Sequence, residues 1–390
     1  MKKTVVWLLT AILLVGMLSG CSSGGNVIKV ASVSPLSGSQ AAMGEAIKNG
    51  AQMALEERIE EFKALGFTLQ LAPQDDQADP KVGVSVARKM ILDEDILAVV
   101  GHLNSGVAIP SSEVYAEKNL AMVSPANTAV DVTERGLKNV TRICARDDGQ
   151  GPAGAEYMFN EAGVKSVFVI NDKTTYGQGV ADEFSKHFAN IGGQVLGNEG
   201  ITPGESDFSA VEEKVRASGA EAVYFGGMYP EGALLIKQLA QKGINVKFMG
   251  PDGLDSAELA NIAGDAVVGA LYTSTAADAS GTPEGAAFVA KYEEKFKKRP
   301  EGYAFYGYDA MNVALNGIKS AIEANGGKKP DRTQVTDAIA ATSGFIGIAT
   351  TVTYNEKGDN LEGVIYVSRF DVNAYPATMV KAVPAGDFLK

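Results

Sequence analysis

Small hydroxyl residues, glycine and proline are concentrated in three loops that directly follow predicted strands. These loops are residues 34–38, 103–106 and 124–128. Serine and threonine hydroxyls, together with the backbone N–H groups that open the following helices, form a suitable site for a carboxylate. Plain turns and helix caps use the same residue types. The pattern therefore predicts either a carboxylate site or three ordinary turns.

Three loops in the second half of the chain carry different groups. Tyr176 lies in residues 172–179, and Met228 and Tyr229 follow a predicted strand that ends at residue 225. Asp252 stands in a Gly-Pro-Asp-Gly turn. A carboxylate held in such a turn suits an ammonium group, but aspartate is also common in β-turns for conformational reasons. Both interpretations of Asp252 remain open on the local pattern.

The chemistry of enzymes and metal sites is mostly missing. Residues 177–179 lack the third glycine and the acidic partner of a dinucleotide site. Cys144 is the only cysteine after residue 21, and His102 and His187 are the only histidines, so no metal site built on these residue types is expected. A His102–Ser105 pair keeps a catalytic interpretation conceivable. A lone histidine at a strand end is more often a hydrogen-bonded loop residue, so we expect neither an enzyme nor a cofactor.

For the loops described above to form one site, the ends of several strands must lie close together in the fold. Apolar runs typical of buried strands alternate with helical periodicity in two rounds along the chain. Two such rounds predict an α/β protein of two similar lobes, each a doubly wound parallel sheet with its loops collected at one edge. The predicted strands are residues 27–33, 67–71, 96–100, 164–170, 195–196, 222–225 and 246–249, and the predicted helices are residues 47–62, 82–92, 180–191, 211–217 and 234–242.

The last third of the sequence is expected to complete these lobes. Residues 288–324 have a mostly helical pattern, and residues 346–354 and 363–370 are β-rich. One helical stretch and two terminal strands are too few elements for a separate α/β unit. The chain is therefore expected to cross between the lobes more than once.

The first residues predict export and lipidation. Lys2 and Lys3 precede an apolar run at residues 5–14, which is shorter than the ~20 residues that a membrane-spanning helix needs. A Leu-Ser-Gly-Cys segment that ends at Cys21 resembles the bacterial lipobox, in which this cysteine is acylated. An ordinary signal peptide with a chance cysteine is the alternative. We expect a signal peptide at residues 1–20, a tether at 21–26, and acyl chains as the only contact with a membrane.

The chain is also acidic. Loss of the signal peptide changes the formal net charge from −12 to −14, because Lys2 and Lys3 are removed with it. Affinity for nucleic acids comes mainly from lysine and arginine side chains that neutralise phosphates. A nucleic-acid partner is therefore not expected.

The loops, taken in order, resemble the branched-chain amino-acid binding proteins of ABC importers, in the type I periplasmic binding protein superfamily. The resemblance covers essentially the whole mature chain. Its motifs are Asp-Asp at 75–76, Gly-His-Leu-Asn-Ser at 101–105, Ser-Pro-Ala at 124–126, Gly-Gln-Gly-Pro at 149–152, Asp-Lys at 172–173 with Tyr-Gly at 176–177, Gly-Gly at 226–227, Phe-Met-Gly-Pro at 248–251 and Asn-Glu-Lys-Gly-Asp at 355–359. So many matches in one order are more specific than any single motif.

The resemblance implies two lobes joined by three crossovers, with the ligand in the cleft between them. The crossovers would lie near residues 144–146, 273–276 and 364–367. The first lobe would comprise residues 27–145 and 275–365, and the second residues 146–274 and 366–390. The implied function is that of an exported, periplasmic or cell-surface monomer that delivers an amino acid, of the Leu/Ile/Val class, to ABC permease subunits. A sensor of another amino acid or a small amide is the alternative use of this fold.

The resemblance also implies roles for individual residues. Ser105 and Thr128, with the backbone of Leu103 and Ala126, would bind the α-carboxylate of the ligand and orient its ammonium group. Asp252 would pair with the ammonium group, and Tyr176 would close over the ligand from the second lobe. The remaining residues expected in the pocket are Met43, Asn104, Asn127, Met228 and Tyr229.

This sequence departs from the family pattern at several of these positions. Relatives that favour leucine often have glutamate where this chain has Asp252, which is one methylene shorter. Met228 stands where an aromatic residue is usual, and Met43 where some relatives have tyrosine. Methionine packs adaptably, so the shape of the pocket is expected to differ. The disulfide of some relatives would fall near Ala78 and Asn104 and cannot form here.

Overall fold

The computed structural model describes residues 26–276 and 278–388. The predicted signal peptide, the lipidation site at Cys21 and the first five tether residues lie outside the described residues. None of the helices within the described ranges is long and apolar enough to cross a membrane.

Strands and helices alternate along most of the chain. The strands are β1 (Val27–Ser34), β2 (Thr68–Asp75), β3 (Ile96–Gly101), β4 (Ala121–Ser124), β5 (Val140–Arg142), β6 (Ser166–Asn171), β7 (Gln194–Gly200), β8 (Ala222–Gly226), β9 (Lys247–Gly250), β10 (Leu271–Ser274), β11 (Phe345–Ile346), β12 (Thr351–Val352), β13 (Val364–Arg369) and β14 (Thr378–Pro384). The α-helices are α1 (Ala41–Glu57), α2 (Ile59–Ala64), α3 (Pro80–Ile91), α4 (Ser105–Ala116), α5 (Asp131–Glu134), α6 (Asp147–Glu156), α7 (Thr175–Asn190), α8 (Ser209–Ser218), α9 (Tyr229–Gln241), α10 (Ala257–Ala263), α11 (Pro283–Phe296), α12 (Gly302–Ala324) and α13 (Arg332–Ala340).

Two separate sheets form the centres of two lobes. The first has the strand order β2-β1-β3-β4-β5, and its strand pairs are parallel. Its central strand β3 is buried along its whole length, as expected where helices cover both faces. The second sheet has the order β14-β13-β10-β9-β8-β6-β7. The predicted α/β fold with two doubly wound sheets is confirmed.

The second sheet departs from the prediction at one edge. Strands β6 to β10 pair in parallel, whereas β13 pairs antiparallel with both β10 and β14. The chain reaches β13 directly after its last passage from the first lobe, without an intervening crossover helix on the second lobe, so an antiparallel pairing is available. The two terminal strands therefore extend the second sheet as a mixed edge.

The chain passes between the sheets three times. It leaves the first sheet after β5, and it leaves the second sheet after β10 so that α12 packs against α1 of the first lobe. It returns to the second sheet at β13, whose first residue is Val364. The three connections contact one another: β10 pairs with β13, and Asn360 donates to the backbone carbonyl of Ile143 at 2.9 Å. This arrangement suits a hinge.

The β-rich run predicted at residues 346–354 forms only a short hairpin of β11 and β12. The carboxylate of Asp309 accepts hydrogen bonds from the backbone N–H groups of Ile348, Ala349 and Thr350, at 2.9, 2.9 and 3.1 Å. These N–H groups are therefore not available for a strand ladder. The prediction of one continuous strand here was wrong because a buried carboxylate binds the middle of the segment.

Candidate functional site

A small cavity lies between the two lobes, at the carboxyl ends of their strands. Residues from both lobes and from the start of α12 surround it. The lining residues are Met43, Leu103, Asn104, Ala126, Tyr176, Met228, Asp252, Gly253 and Tyr303. Seven of the positions predicted from the sequence are therefore brought together, whereas Gly253 and Tyr303 were not predicted.

The first lobe places hydrogen-bond donors close to the wall of the cavity. Ser105 is the first residue of α4, and Asn104 occupies the cap position without a capping bond from its side chain. The first N–H groups of a helix have no partner within the helix, and they carry the positive end of its dipole. The buried Ser105 hydroxyl oxygen accepts a bond from the N–H of Ala129 at 3.3 Å, which leaves its hydrogen able to donate. The Thr128 hydroxyl is buried and forms no hydrogen bond of normal geometry with the described residues, but it lies close enough to Asp147 to oppose the rise in the pKa of that carboxylate.

Asn127 fixes the positions of the loops that carry these donors. Its Nδ2 donates to the carbonyl oxygen of Leu103 at 2.9 Å, and its Oδ1 accepts from the Ser124 hydroxyl at 2.7 Å. Its side chain therefore ties residues 103–106 to residues 124–128 and does not line the cavity. Ser105 and Thr128 are also not lining residues: Ser105 directly follows Asn104 along the chain, and Thr128 lies two residues after Ala126.

The second lobe presents a buried carboxylate. Asp252 Oδ1 accepts from the Tyr176 hydroxyl at 2.7 Å, and its Oδ2 accepts from the Tyr303 hydroxyl. Burial raises the pKa of both tyrosines, so their hydroxyls stay protonated and donate. Burial also raises the pKa of Asp252, although bonds from the two tyrosines oppose that shift. A cation entering the cavity would remove the cost of burying this carboxylate.

A second carboxylate lies close to Asp252. Gln150 accepts from the N–H of Asp252 at 3.0 Å and from the Thr273 hydroxyl at 3.1 Å, and it donates to Asp147 at 3.1 Å. Burial, followed by the charge of Asp252, raises the pKa of Asp147 well above its usual range. Two buried carboxylates therefore lie on the second-lobe side of the cavity, whereas the hydroxyls of Ser105 and Thr128 near its first-lobe side are neutral.

Two residues join the lobes at the mouth of the cleft. The Tyr229 hydroxyl, from the second lobe, donates to the carbonyl oxygen of Ser39 in the first lobe at 2.5 Å. Glu301, just before α12, accepts from the Ser256 hydroxyl and the Ala257 N–H at the start of α10, both at 3.2 Å. Burial raises the pKa of Glu301 to about 7. Tyr229 is thus a bridge between the lobes, and it does not line the cavity.

The hinge side carries an ion-pair cluster. The guanidinium of Arg142, which is fully buried, contacts Asp359 at 2.8 Å, and Arg146 contacts the other oxygen of Asp359 at 2.9 Å. Burial opposes ionisation of Asp359, but Arg142 and Arg146 hold the pKa of Asp359 below its usual value. The cluster links the first and the last passage of the chain between the lobes.

His102 has no catalytic partner. Its Nδ1 lies 2.7 Å from Asp76 Oδ2, and its Nε2 lies 3.1 Å from the Tyr115 hydroxyl. All three side chains are buried, and both ring nitrogens are occupied. The His102–Ser105 pair that the sequence left open is therefore not formed.

Other reactive groups are buried or tied to the scaffold. Burial raises the pKa of the Cys144 thiol to about 12, which makes it a poor nucleophile at neutral pH. Within residues 26–276 and 278–388, no group of three or more His, Cys, Asp or Glu side chains is arranged to hold a metal ion.

A wide groove lies at the opposite end of the first lobe, between α3 and α13. Arg332 donates there to the backbone carbonyls of Met90, Ile91, Asp93 and Ile96 at 2.7 to 3.3 Å. Its charge thus serves to attach α13 to the first sheet, and the groove is a less suitable ligand site than the cavity between the lobes.

Comparison with known proteins agrees with this geometry. Residues 27–374 match the family model described as periplasmic binding protein. The chain is 39% identical over 325 residues to the Leu/Ile/Val-binding protein homolog 2 of Brucella abortus, with 83% of this chain and 85% of that protein covered. The leucine-binding protein LivK from Thermotoga maritima superposes with a TM-score of 0.83 at 30% identity, covering 92% of this chain and 99% of that chain.

A further solved structure supports the fold alone. The branched-chain amino acid transporter substrate-binding protein LivJ from Streptococcus pneumoniae, in complex with isoleucine, superposes with a TM-score of 0.81 at 22% identity. It covers 92% of this chain and 99% of that chain.

Proposed function

The chain belongs to the periplasmic binding protein family, in its Leu/Ile/Val-binding group, and we propose that it captures a free α-amino acid and delivers it to an ABC importer. Members of this family are exported, periplasmic binding proteins and not enzymes. The names of its relatives favour leucine, isoleucine and valine as the first ligands to test.

One observation carries this proposal: the two walls of the cavity have complementary chemistry. The first lobe offers the hydroxyls of Ser105 and Thr128 and the start of α4 to an anion. The second lobe offers the carboxylate of Asp252 to a cation. An α-amino acid carries both charges on adjacent atoms, and both need partners when they are buried. The side chain of the ligand would then lie among Met43, Leu103 and Met228.

The proposed mechanism is closure about the three connections between the lobes. We take residues 27–145 with 275–365 as one rigid unit and residues 146–274 with 366–390 as the other. The amino acid would bind first to the donors of the first lobe, and Tyr176 and Asp252 would then close over it and exclude water. Closure gives the permease a surface that differs between the empty and the loaded protein. A monomer is sufficient for this cycle.

The test is a calorimetric titration with leucine and two truncated analogues. 4-Methylpentanoate keeps the side chain and the carboxylate but has no ammonium group, and 3-methylbutylamine lacks the carboxylate. We expect leucine to bind and each analogue to bind at least 100-fold more weakly, because each leaves one wall without its partner. A thermal-unfolding scan is the companion measurement, since a ligand at 100 times its Kd adds about 2.7 kcal/mol to the free energy of unfolding. Equal binding of leucine and the pentanoate would contradict an ammonium site at Asp252.

We also propose a lipid anchor at Cys21. The support is the sequence alone: a short apolar run and a Leu-Ser-Gly-Cys segment at its end. Two or more acyl chains hold a protein on a membrane stably, whereas one chain holds it only marginally. Metabolic labelling with a palmitate analogue should label the wild-type protein and leave the Cys21→Ser variant unlabelled and released from membranes. Labelling of the variant would locate the acyl group elsewhere.

A further inference from the structure

The amide of Asn104 is only half satisfied at the wall of the ligand cavity. Its Nδ2 donates to Gln40 Oε1 at 2.8 Å. Its Oδ1 is buried and has no hydrogen-bond partner among the described residues. A buried acceptor without a donor bears the full cost of its desolvation. An acceptor left in this state next to a ligand cavity points to a donor that the ligand brings.

The side-chain amide of Asn104 could instead cap helix α4, but it does not. Asn104 stands at the cap position of α4, where an asparagine side chain commonly accepts a bond from the first turn of the helix. No such bond is formed here. The side chain is instead turned toward Gln40, and it lines the same cavity as Met43 and Met228. Its contact with Gln40 thus holds the amide at the cavity wall, beside the apolar residues Met43 and Met228.

We infer that Asn104 determines specificity by accepting a hydrogen bond from the side chain of the bound amino acid. The ligand class extends accordingly to uncharged amino acids that carry a hydroxyl or amide donor. Threonine and valine have nearly the same shape, and they differ in one hydroxyl group. A wholly apolar pocket would favour valine, whereas an acceptor without a partner favours threonine. This inference rests on the proposed function, because it needs an amino acid in this cavity.

The experiment is a set of calorimetric titrations of the wild-type protein with threonine and valine. One net hydrogen bond contributes about 0.5–1.5 kcal/mol, so we expect threonine to bind about 2–10 times more tightly than valine. In the Asn104→Leu variant the acceptor is replaced by an apolar side chain of similar size. The ratio of the two dissociation constants should then change at least 10-fold in favour of valine.

Asn316→Leu is the matched control, because it makes the same substitution at an exposed asparagine of α12 that does not line the cavity. It should leave the ratio of the threonine and valine dissociation constants unchanged. Circular dichroism and thermal unfolding verify that each variant is folded, and Asn104→Ala replaces Asn104→Leu if the larger side chain prevents folding. A ratio that is the same in the wild type and in the Asn104 variant overturns the inference.

The outcomes separate this inference from the proposed function. If the wild-type protein binds valine or leucine but binds threonine more than 10-fold more weakly, the specificity role of Asn104 is wrong and the amino-acid site stands. If the wild-type protein binds no amino acid, the proposed function fails, and the role of Asn104 fails with it.

Discussion

Replacing Asp252 by asparagine tests the electrostatic basis of the proposed site. The substitution keeps the shape of the side chain and removes its negative charge. Asparagine retains one oxygen acceptor, so one of the bonds from Tyr176 and Tyr303 survives, and the other hydroxyl can rotate to accept from the amide. The hydrogen bond from the backbone N–H of Asp252 to Gln150 does not involve the side chain and is retained.

The expected effects on stability and on binding differ. Burial raises the pKa of Asp252, which means that the charged form is costly in the folded protein. The free energy of unfolding should therefore stay the same or increase slightly. The ligand, however, would bury an ammonium group without its counter-charge, and removing one partner of a buried ion pair costs about 3–5 kcal/mol. Since 1.4 kcal/mol is a factor of about ten, the Kd should rise at least 100-fold.

Asp255→Asn is the matched control for this substitution. Asp255 is also a buried aspartate, and burial raises its pKa to about 6. It accepts from Ser274, Tyr375 and Tyr272, and it does not line the ligand cavity. Calorimetry should give a wild-type Kd for this variant. A Kd for Asp252→Asn within five-fold of the wild type, in a protein that unfolds normally, would refute the assignment of the ammonium site.

Three further predictions concern the contacts around the cleft. Burial raises the pKa of Glu301 to about 7. On the proposed closure mechanism, opening separates Glu301 from the start of α10 and exposes it, so the closed form binds a proton more tightly than the open form. Ligand affinity should therefore fall as the pH rises from about 4.5 to 7, by at most tenfold per unit, and calorimetry across this window should show a smaller slope for Glu301→Gln. Tyr229→Phe removes the bond to the first lobe and should weaken ligand binding about 2–10-fold, without a change in the urea midpoint of the empty protein. If that midpoint falls as well, Tyr229 has a structural role in both states. Asp359→Asn leaves the buried guanidinium of Arg142 without its counter-charge and should lower the free energy of unfolding by about 3–5 kcal/mol. The wild type should lose the stabilisation that comes from the ionised Asp359 as the pH falls through the lowered pKa of this group. Urea denaturation at pH 7 and at acidic pH should therefore show that the difference in the free energy of unfolding between the two proteins shrinks on acidification.

The sequence predicted the residues of the cavity best where those residues lie directly after the ends of strands. Parallel strands collect the loops at their carboxyl ends at one edge of a sheet. The loops containing Leu103 and Ala126 therefore had to meet at the first sheet, and the loops containing Tyr176, Met228 and Asp252 at the second. The structure confirms the fold that this argument requires. The individual ligand contacts of these residues remain predictions.

The contributions of Tyr303 and Gln150 could not be predicted in this way. Tyr303 reaches the cavity because the chain returns to the first lobe before α12, and the periodicity of a helix does not say which lobe it joins. One feature of the sequence did suggest a polar contact for Tyr303. A tyrosine in an otherwise apolar helical run needs a hydrogen-bond partner for its hydroxyl when it is buried. Tyr229 shows the opposite case: its loop was predicted correctly, but its hydroxyl reaches the other lobe.

Because the two sides of the cavity differ in charge, the proposed closure of the lobes should be favourable only around a suitable ligand. Asp147 and Asp252 are both buried in the second lobe, and the charge of Asp252 raises the pKa of Asp147. Closing an empty cleft buries these carboxylates without a cation inside the cavity. From the first lobe, the Tyr303 hydroxyl donates to Asp252, and the nearby guanidinium of Arg142 is already paired with Asp359. A ligand shifts the equilibrium only by the difference in its affinity for the two forms. A carboxylic acid would satisfy the first wall and leave the acidic wall uncompensated, and an amine would do the reverse. An α-amino acid meets both conditions at once, so on the proposed function it is the charge pair that drives closure, while the side chain selects among amino acids.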